Sequence, residues 1–391
     1  MMTFFDAFFS VVARELRRTR SNSVYLTASV GVMLFCFIFF VSIFEDGQPQ
    51  DMPIAVVDQD QSALSRQFLR NLDAGPLAEI AFHPSDYSEA RALMQQGKIY
   101  AFVVVQPNFS SDVLANRRPE ITFYVNDAYL VAGSLLLKEI TYMVELTGGA
   151  IKQNVLMAKG MESHRTMGLI QPIQVDMHLI GNPWAHYGVY LLNLLLPGVL
   201  QLSILLLTVY ALGIELKEKT ASDWLRLSPN SFLTALIGKL FPYTILFTCL
   251  SVLTSFVLYR YQQFPLQVSF GWMLLTGFLY VLAYQAVGVL IFGITPVLRD
   301  SVTLSALYGL LGFTFAGFTF PIEQLPYPAR VFSLFFPIRH YFNLYVPFAL
   351  NGLSVPHITA SFVSLFAFLL LPMVVYARLK KAATQLNFPI K

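Results

Sequence analysis

From Val24 to Phe44 the chain runs for 21 residues without a charge. A helix of that length is about 31 Å long, enough to cross a bilayer core of about 30 Å. Similar apolar runs recur at about 186–213, 233–258, 268–294, 302–320 and 357–377. Only 13% of the residues are charged, against about 25% in a soluble domain. Such a chain cannot cover itself with a solvated surface, so the lipid bilayer is its first partner. Arg14, Arg17, Arg18 and Arg20 precede the first run, as they would in a signal peptide. The run is too long for that, and no small-residue cleavage site follows Phe44, so 24–44 reads as a retained first transmembrane helix.

Six spans put both termini on one side, and the positive-inside rule sets which side. Thirteen basic residues flank the odd side, among them Lys217, Lys219, Arg226, Lys239, Arg299 and Arg378. Only Arg260, Arg330 and Arg339 lie in the opposite short loops. Both ends are therefore expected to be cytoplasmic, and the long insert 45–184 extracytoplasmic. Residues 1–23 read as a separate amphipathic helix on the inner leaflet. Phe4, Phe5, Phe8, Phe9, Val12 and Leu16 recur at helical spacing, with the arginines clustered behind them.

The insert alternates strand and helix patterns. Strands are predicted at Met52–Val57, Ala78–His83, Ile99–Gln106, Ile121–Asn126 and Val175–Leu179. Helices are predicted at Ala63–Leu72, Ser85–Gln96, Pro107–Ala115 and Ala128–Lys159, with Ser62 or Asp60 capping the first. The fold class is thus an all-α six-helix transmembrane domain with an inserted extracytoplasmic α/β domain. Residues 185–391 form its five-helix part.

The insert offers no catalytic constellation. Asp58 and Asp60 sit between a strand and a helix, where turn and cap duty suits them. His83, His164 and His178 lack partners at metal-ligand spacing. No serine lies in a Gly-x-Ser-x-Gly elbow. Cys36 and Cys249 both lie in apolar runs and frame no disulfide pattern. The net charge of +3, with no basic tract interleaved with aromatics, argues against nucleic acid. No catalytic, cofactor-binding or metal-binding residue is assigned.

Two polar segments stand out against this apolar background. The first, 214–229, holds Glu215, Lys217, Glu218, Lys219, Thr220 and Trp224. Glu215 and Lys219 are four apart with opposite sign, and a short charged helix along the membrane would suit docking to a cytoplasmic protein. The segment resembles the Glu-x-x-x-Gly/Lys-Thr … Leu-x-x-Ser/Thr-Pro loop of type-2 ABC exporter permeases, matched by Thr220, Leu225, Ser228 and Pro229. Ala221 and Ser222 depart from the acidic continuation usual there. The resemblance implies that these six residues form the coupling helix that contacts a separate ATPase subunit.

The second segment, 321–352, is similar to the same family's outer re-entrant helices. It carries Phe320-Pro321, Pro326, Pro337, His340 and Asn351-Gly352 in the family's order. Glu323, Arg339, His340 and Asn343 are expected at the outer mouth of an export path, with local capping as the competing reading. Ala55–Ser62 and Gly97–Phe109 in turn resemble a family subgroup with a large external domain after the first span.

The resemblance covers nearly the whole chain. It implies an ATP-driven exporter subunit in a bacterial cytoplasmic (inner) membrane, forming half a permease. The partners would be an ABC ATPase, a second permease copy and, where present, a periplasmic adaptor. The phosphate-binding Gly-x-x-x-x-Gly-Lys-Ser/Thr motif does not occur, since Gly238-Lys239 continues with Leu240. ATP and Mg are therefore expected on the partner chain. A secondary transporter would need acidic residues inside the spans, and the apolar runs contain none. A membrane-anchored receptor would leave the two polar segments without a role.

Overall fold

The computed structural model describes residues 4–385, apart from 116, 118, 172–175, 177, 184, 319, 355 and 357 and the side chains of 163–165. The chain opens with α1 (Phe4–Ser21), whose inward positions Ala7, Val11 and Glu15 repeat every fourth residue. Next come α2 (Ser23–Leu26) and α3 (Val32–Ile43), joined by a π-helical turn at Thr27–Gly31. Together they form one apolar helix, Ser23–Ile43.

Asp46–His178 is a compact unit of its own. In chain order it contains β1 (Met52–Asp58), α4 (Ala63–Asp73), β2 (Ala78–Phe82), α5 (Tyr87–Gln95), β3 (Ala101–Val105), α6 (Phe109–Leu114), β4 (Ile121–Val125), α7 (Leu130–Ala158) and α8 (Ser163–Ile170). The sheet order is β2-β1-β3-β4, parallel except for the β3/β4 pair. Ile54 and Val56 face one hydrophobic core with Phe68, Leu72, Leu136 and Ile140. Ala55 and Val57 face another with Ala90, Ile99 and Phe102. Both sheet faces are covered, which explains the unbroken apolar runs of β1 and β3.

The acidic turn does what its position implies. Ser62 caps α4 by accepting from the Ser65 amide at 3.0 Å. Asp58 accepts from the amides of Asp60 and Gln61, and Asp60 from that of Ser110 at 3.1 Å. The predicted strand Val175–Leu179 lies partly outside the described residues, and its described positions carry no strand. The His164 side chain also lies outside them.

The second unit comprises Met1–Glu45 and Leu179–Lys391. Its later elements are α9 (Tyr187–Lys217), α10 (Ala221–Arg226), α11 (Phe232–Phe256), α12 (Phe270–Ile294), α13 (Leu298–Thr314), α14 (Tyr327–Ser333), α15 (Pro337–Leu344), α16 (Thr359–Phe368) and α17 (Leu371–Gln385). Five helices are long and apolar enough to cross a membrane: Ser23–Ile43, Tyr187–Lys217, Phe232–Tyr261, Phe270–Ile294 and Thr359–Gln385.

The expected span at 302–320 is not among these five. Its helix, α13, has 17 residues, about 26 Å, which is short of a core of about 30 Å. The chain turns at Gly317, where φ is +84° and a Cβ would strike Ile322 at 2.5 Å. The helix instead packs closely along α9. A Cβ on Gly198 would overlap the Phe313 ring, one on Gly309 would overlap Leu202, and Gln201 donates to the Gly309 carbonyl at 3.1 Å. Small residues that let backbones approach are a common way to join helices in lipid.

Within the α/β unit Glu139 on α7 is buried. Its Oε1 accepts from the Leu77 amide at 3.1 Å and its Oε2 has no partner. Burial pushes this carboxyl above its ordinary range, although bonds from the Leu77 and Ala78 amides pull the other way. A raised folded-state pKa gives stability that is full below the unfolded value and lost as pH rises through the folded one. Glu139→Gln keeps the acceptor for Leu77 and removes the charge. It should therefore slow hydrogen exchange in β2 and α7 at pH 7.5 and change little at pH 4. Equal protection at both pH values would show that the charge carries no such penalty.

Candidate functional site

Where α1, α9 and α11 meet lies a cluster of charged side chains whose centre is closed off from solvent. Lys239, on α11, is fully buried and lies between two fully buried carboxylates. Its Nζ is 2.6 Å from Glu15 Oε2 and 2.8 Å from Glu215 Oε1, and 5.4 Å from the centre of the Trp224 ring. The Glu15 carboxylate also accepts from the Tyr243 hydroxyl at 2.6 Å. Arg14 grips Glu215 with two nitrogens, at 2.5 and 3.0 Å. Arg18 reaches Glu215 at 2.8 Å and also pairs with Glu218.

Three carboxylates, Glu15, Glu215 and Glu218, thus meet three cations, Arg14, Arg18 and Lys239. Balance matters because an unpaired buried charge is among the costliest defects in a fold. At Arg18 burial acts downward, but Glu215, then Tyr25 and Glu218, outweigh it and hold the guanidinium above its ordinary value.

Local sequence explains how each group arrives. On α1, Ala7, Val11 and Glu15 share the buried face, and the close approach of α11 is set by Gly238, where a Cβ would meet Val11 Cβ at 3.1 Å. The expected aromatic stripe points elsewhere: Phe4, Phe5, Phe9 and Leu16 are exposed. The helix α1 therefore packs on α11 through Val11 and through Phe8, whose ring lies 5.1 Å from that of Phe241, with Phe4, Phe5, Phe9 and Leu16 on the free face.

At the end of α9 the Lys219 amide bonds to the Leu216 carbonyl at 3.1 Å and the Thr220 amide to the Glu215 carbonyl at 2.9 Å. Lys219 has φ +57°. This is a Schellman stop with lysine at the left-handed position, where glycine is commonest. The Thr220 hydroxyl then donates to Glu215 Oε2 at 2.5 Å. The Glu-x-x-x-Gly/Lys-Thr motif thus has an internal meaning here. The glutamate joins the ion cluster, the Gly/Lys position turns the chain, and the threonine closes back on the glutamate.

Several sequence-based assignments change accordingly. The helix expected over 214–229 is divided: Glu215 and Lys217 end α9, and the short helix is α10 alone. Glu215 does not pair with Lys219, because α9 has stopped before it. Glu215 and Trp224 are buried, the latter donating from Nε1 to the Ala235 carbonyl at 3.1 Å. Neither side chain can touch a partner in this conformation. Lys217, Glu218 and Lys219 are exposed and Thr220 is half-buried, and Asp223 and Arg226 add to the exposed charge. Glu215 lies in the last turn of Tyr187–Lys217, just beyond the apolar run 186–213, which contains no acidic residue.

In the other polar segment, Arg339 donates to the Arg330 carbonyl at 2.8 Å and to Ser333 Oγ. His340, 6% exposed, bonds the Leu334 carbonyl at 2.9 Å. Both close off the C-terminal end of α14. Glu323 and Asn343 are exposed.

Arg14, Arg18 and Lys239 entered the sequence reading only as charges, and Glu15 did not enter it. A glutamate in register with Ala7 and Val11, and a lysine early in an apolar helix, were the available signals. No group of three or more histidines, cysteines or carboxylates suited to a metal occurs among the described residues.

Long apolar helices joined by buried, paired charge define a multi-pass membrane protein. The sequence model of the ABC-2 family transporter proteins matches residues 24–377, and the chain belongs to that family. A comparison with curated proteins finds no match. Membership makes the chain a membrane permease subunit of an ABC transporter, working in the bilayer with an ABC ATPase subunit.

Lys239→Met leaves two buried carboxylates short of a partner, a loss of about 3–5 kcal/mol by analogy with broken buried pairs. The thermal midpoint of the purified chain should fall. Glu15→Gln combined with Lys239→Met should destabilise less than the sum of the single changes, which a double-mutant cycle would read. Lys219→Gly should leave the midpoint unchanged or higher, and Lys219→Val should lower it by the equivalent of about 1 kcal/mol or more. Additive effects in the cycle would mean that Lys239 and Glu15 do not share an interaction.

Proposed function

We propose that the chain is half of an ATP-driven exporter: two copies, identical or paralogous, enclose the path, and a separate ATPase carrying ATP and Mg drives them. The observation that carries this reading is the ion cluster lying directly behind the exposed charges of 217–226. Lys217, Glu218, Lys219, Asp223 and Arg226 provide the docking surface. Glu215 and Trp224 act behind it, as the rigid connection through which a displacement of α10 reaches α9 and α11. Packed interiors transmit displacement because they have little free volume to absorb it.

On this reading both termini and 217–226 are cytoplasmic, the α/β unit is extracytoplasmic, and α13 completes a sixth crossing with the residues that follow it. Glu323 and Asn343 remain the candidates for the outer path, with Arg339 and His340 shaping the turn that presents them. The membrane is a bacterial inner membrane, and an apolar or amphipathic substrate leaves from its inner leaflet.

Two kinds of variant separate docking from transmission. Reversing charge at Lys217, Lys219 and Asp223 together should reduce co-purification of the ATPase. Glu215→Gln should leave the ATPase bound but lower the stimulation of hydrolysis and the transport into inverted vesicles, by tenfold or more. Loss of binding in the Glu215 variant alone, with normal folding, would reverse these roles. A topology reporter after Asn126 should read extracytoplasmic and one after Thr220 cytoplasmic, and the opposite result would overturn the orientation.

A further inference from the structure

The long helix α7 outruns the core it covers. Gly133, Leu136 and Ile140 are buried on its inner face, and the latter two join the core around Ile54 and Phe68. The same face continues, at spacings of three and four, as Val144, Thr147, Ile151 and Val155. Val144 still packs on that core, but Ile151, Val155 and Leu156 lie beyond it and are only half-buried. A groove of about 660 Å³ runs along this stretch, with Phe109 and Val113 of α6 and Ile121 of β4 in its other wall. The volume falls in the range of ligand pockets, about 300–1,000 Å³. From Val144 to Lys159 the α7 wall extends for about 22 Å.

The rim of this groove is basic. Arg117, between α6 and β4, lines it from one side and Lys152 and Lys159 of α7 from the other, and no acidic residue is among the described lining residues. Arg117 is paired with Asp112 at 3.1 Å. Lys152 donates to the Leu169 carbonyl at 3.1 Å, a group without net charge. Lys159 is exposed and has no ion pair among the described residues. Three cations are thus offset by one carboxylate. Lysine stems cover apolar surface while their ammonium groups stay at the water edge, so an apolar floor and a positive rim occur together.

That combination selects the occupant. A second copy of the chain, seated on the groove by two-fold symmetry, would set the positive patch against itself. A neutral apolar molecule would leave the cations without a counter-charge. One leaflet is half of a core of about 30 Å, so a single acyl chain reaches about 15 Å and fits along the α7 wall with room for its head. We propose that the groove binds a single-chain amphiphile with an anionic head, of which a long-chain fatty acid is the simplest. The head is held by Lys152 and Lys159, and the tail runs over Ile151 and Val155 towards Val144 and Phe109. This site rests on the α/β unit alone and not on export, so it stands or falls independently of the transport reading.

The test uses the full chain, without the ATPase, in nanodiscs of phosphatidylcholine, which has no net charge. The probe is a palmitate analogue with a diazirine at mid-chain. Irradiation expels dinitrogen, and the carbene left behind inserts into a neighbouring C–H bond. Labelling should saturate and should map by mass spectrometry to α6 and to 144–159 of α7. Palmitate at pH 8 should compete at least fivefold better than hexadecanol, which has the same chain and no charge. Lys152→Glu combined with Lys159→Glu should cut labelling at least fivefold. Lys159→Glu alone, at an exposed and unpaired position, should weaken it independently if the double variant folds poorly. Lys138→Glu, exposed on α7 outside the groove, should leave it unchanged. Labelling that does not saturate, falls only on the membrane helices, or is competed equally by hexadecanol would overturn the proposal. Unchanged labelling in both groove variants would do the same. Copies of Val155→Cys that link to one another by a disulfide before any amphiphile is added would assign the groove to a second copy and overturn it as well.

Discussion

The contact between Lys239 and the two carboxylates of Glu15 and Glu215 fixes how the membrane unit is built. One ammonium group joins the N-terminal helix, the end of the longest helix and the start of α11 at a point without solvent. Such a pair is weak evidence of stability in itself, because desolvating the charges consumes much of their attraction. Its strength is in what it forbids. Any separation of the three helices would leave a bare charge in a low-dielectric interior, so they hold one arrangement or give up the cluster altogether. The aromatic groups around it, Trp224, Tyr243 and Tyr25, keep water out; Tyr25 and Tyr243 stack at 5.6 Å.

Much of the fold can be read along the chain because it depends on local pattern. The strands around Met52–Asp58 and Ala101–Val105 are unbroken apolar runs between turn residues, and Ser62 announces the helix it caps. Five of the long membrane helices follow from length and lack of charge. The exception is instructive. The apolar run at 302–320 continues past the point where Gly317 and Ile322 turn the backbone, so hydropathy overstated the helix.

The ion cluster was hardly legible, since it is a tertiary object. Glu15 and Lys239 are 224 residues apart, and no spacing rule connects them. The coupling motif could be found but not correctly apportioned between surface and interior. Its glutamate looks like a surface charge until α1 and α11 are placed against it. Arg339 and His340 show the same limit: polar residues in an apolar setting suggested a path, but the carbonyls they cap belong to a helix end that only the folded chain reveals.

The left-handed lysine at 219 and the cluster behind it also bear on how the chain is made. Residues 14–18 are made some two hundred residues before the groups that neutralise them, at positions 215–218 and 239. For some two hundred residues of synthesis Glu15 has only its own arginines for company, and Glu215 then appears before the lysine that separates it from Glu15. Assembly of α1 into the bundle is therefore a late event. A nascent chain halted before Lys239 lacks the ammonium that lies between Glu15 and Glu215. The ion cluster that joins α1 to α9 and α11 can close only once Lys239 is in the chain.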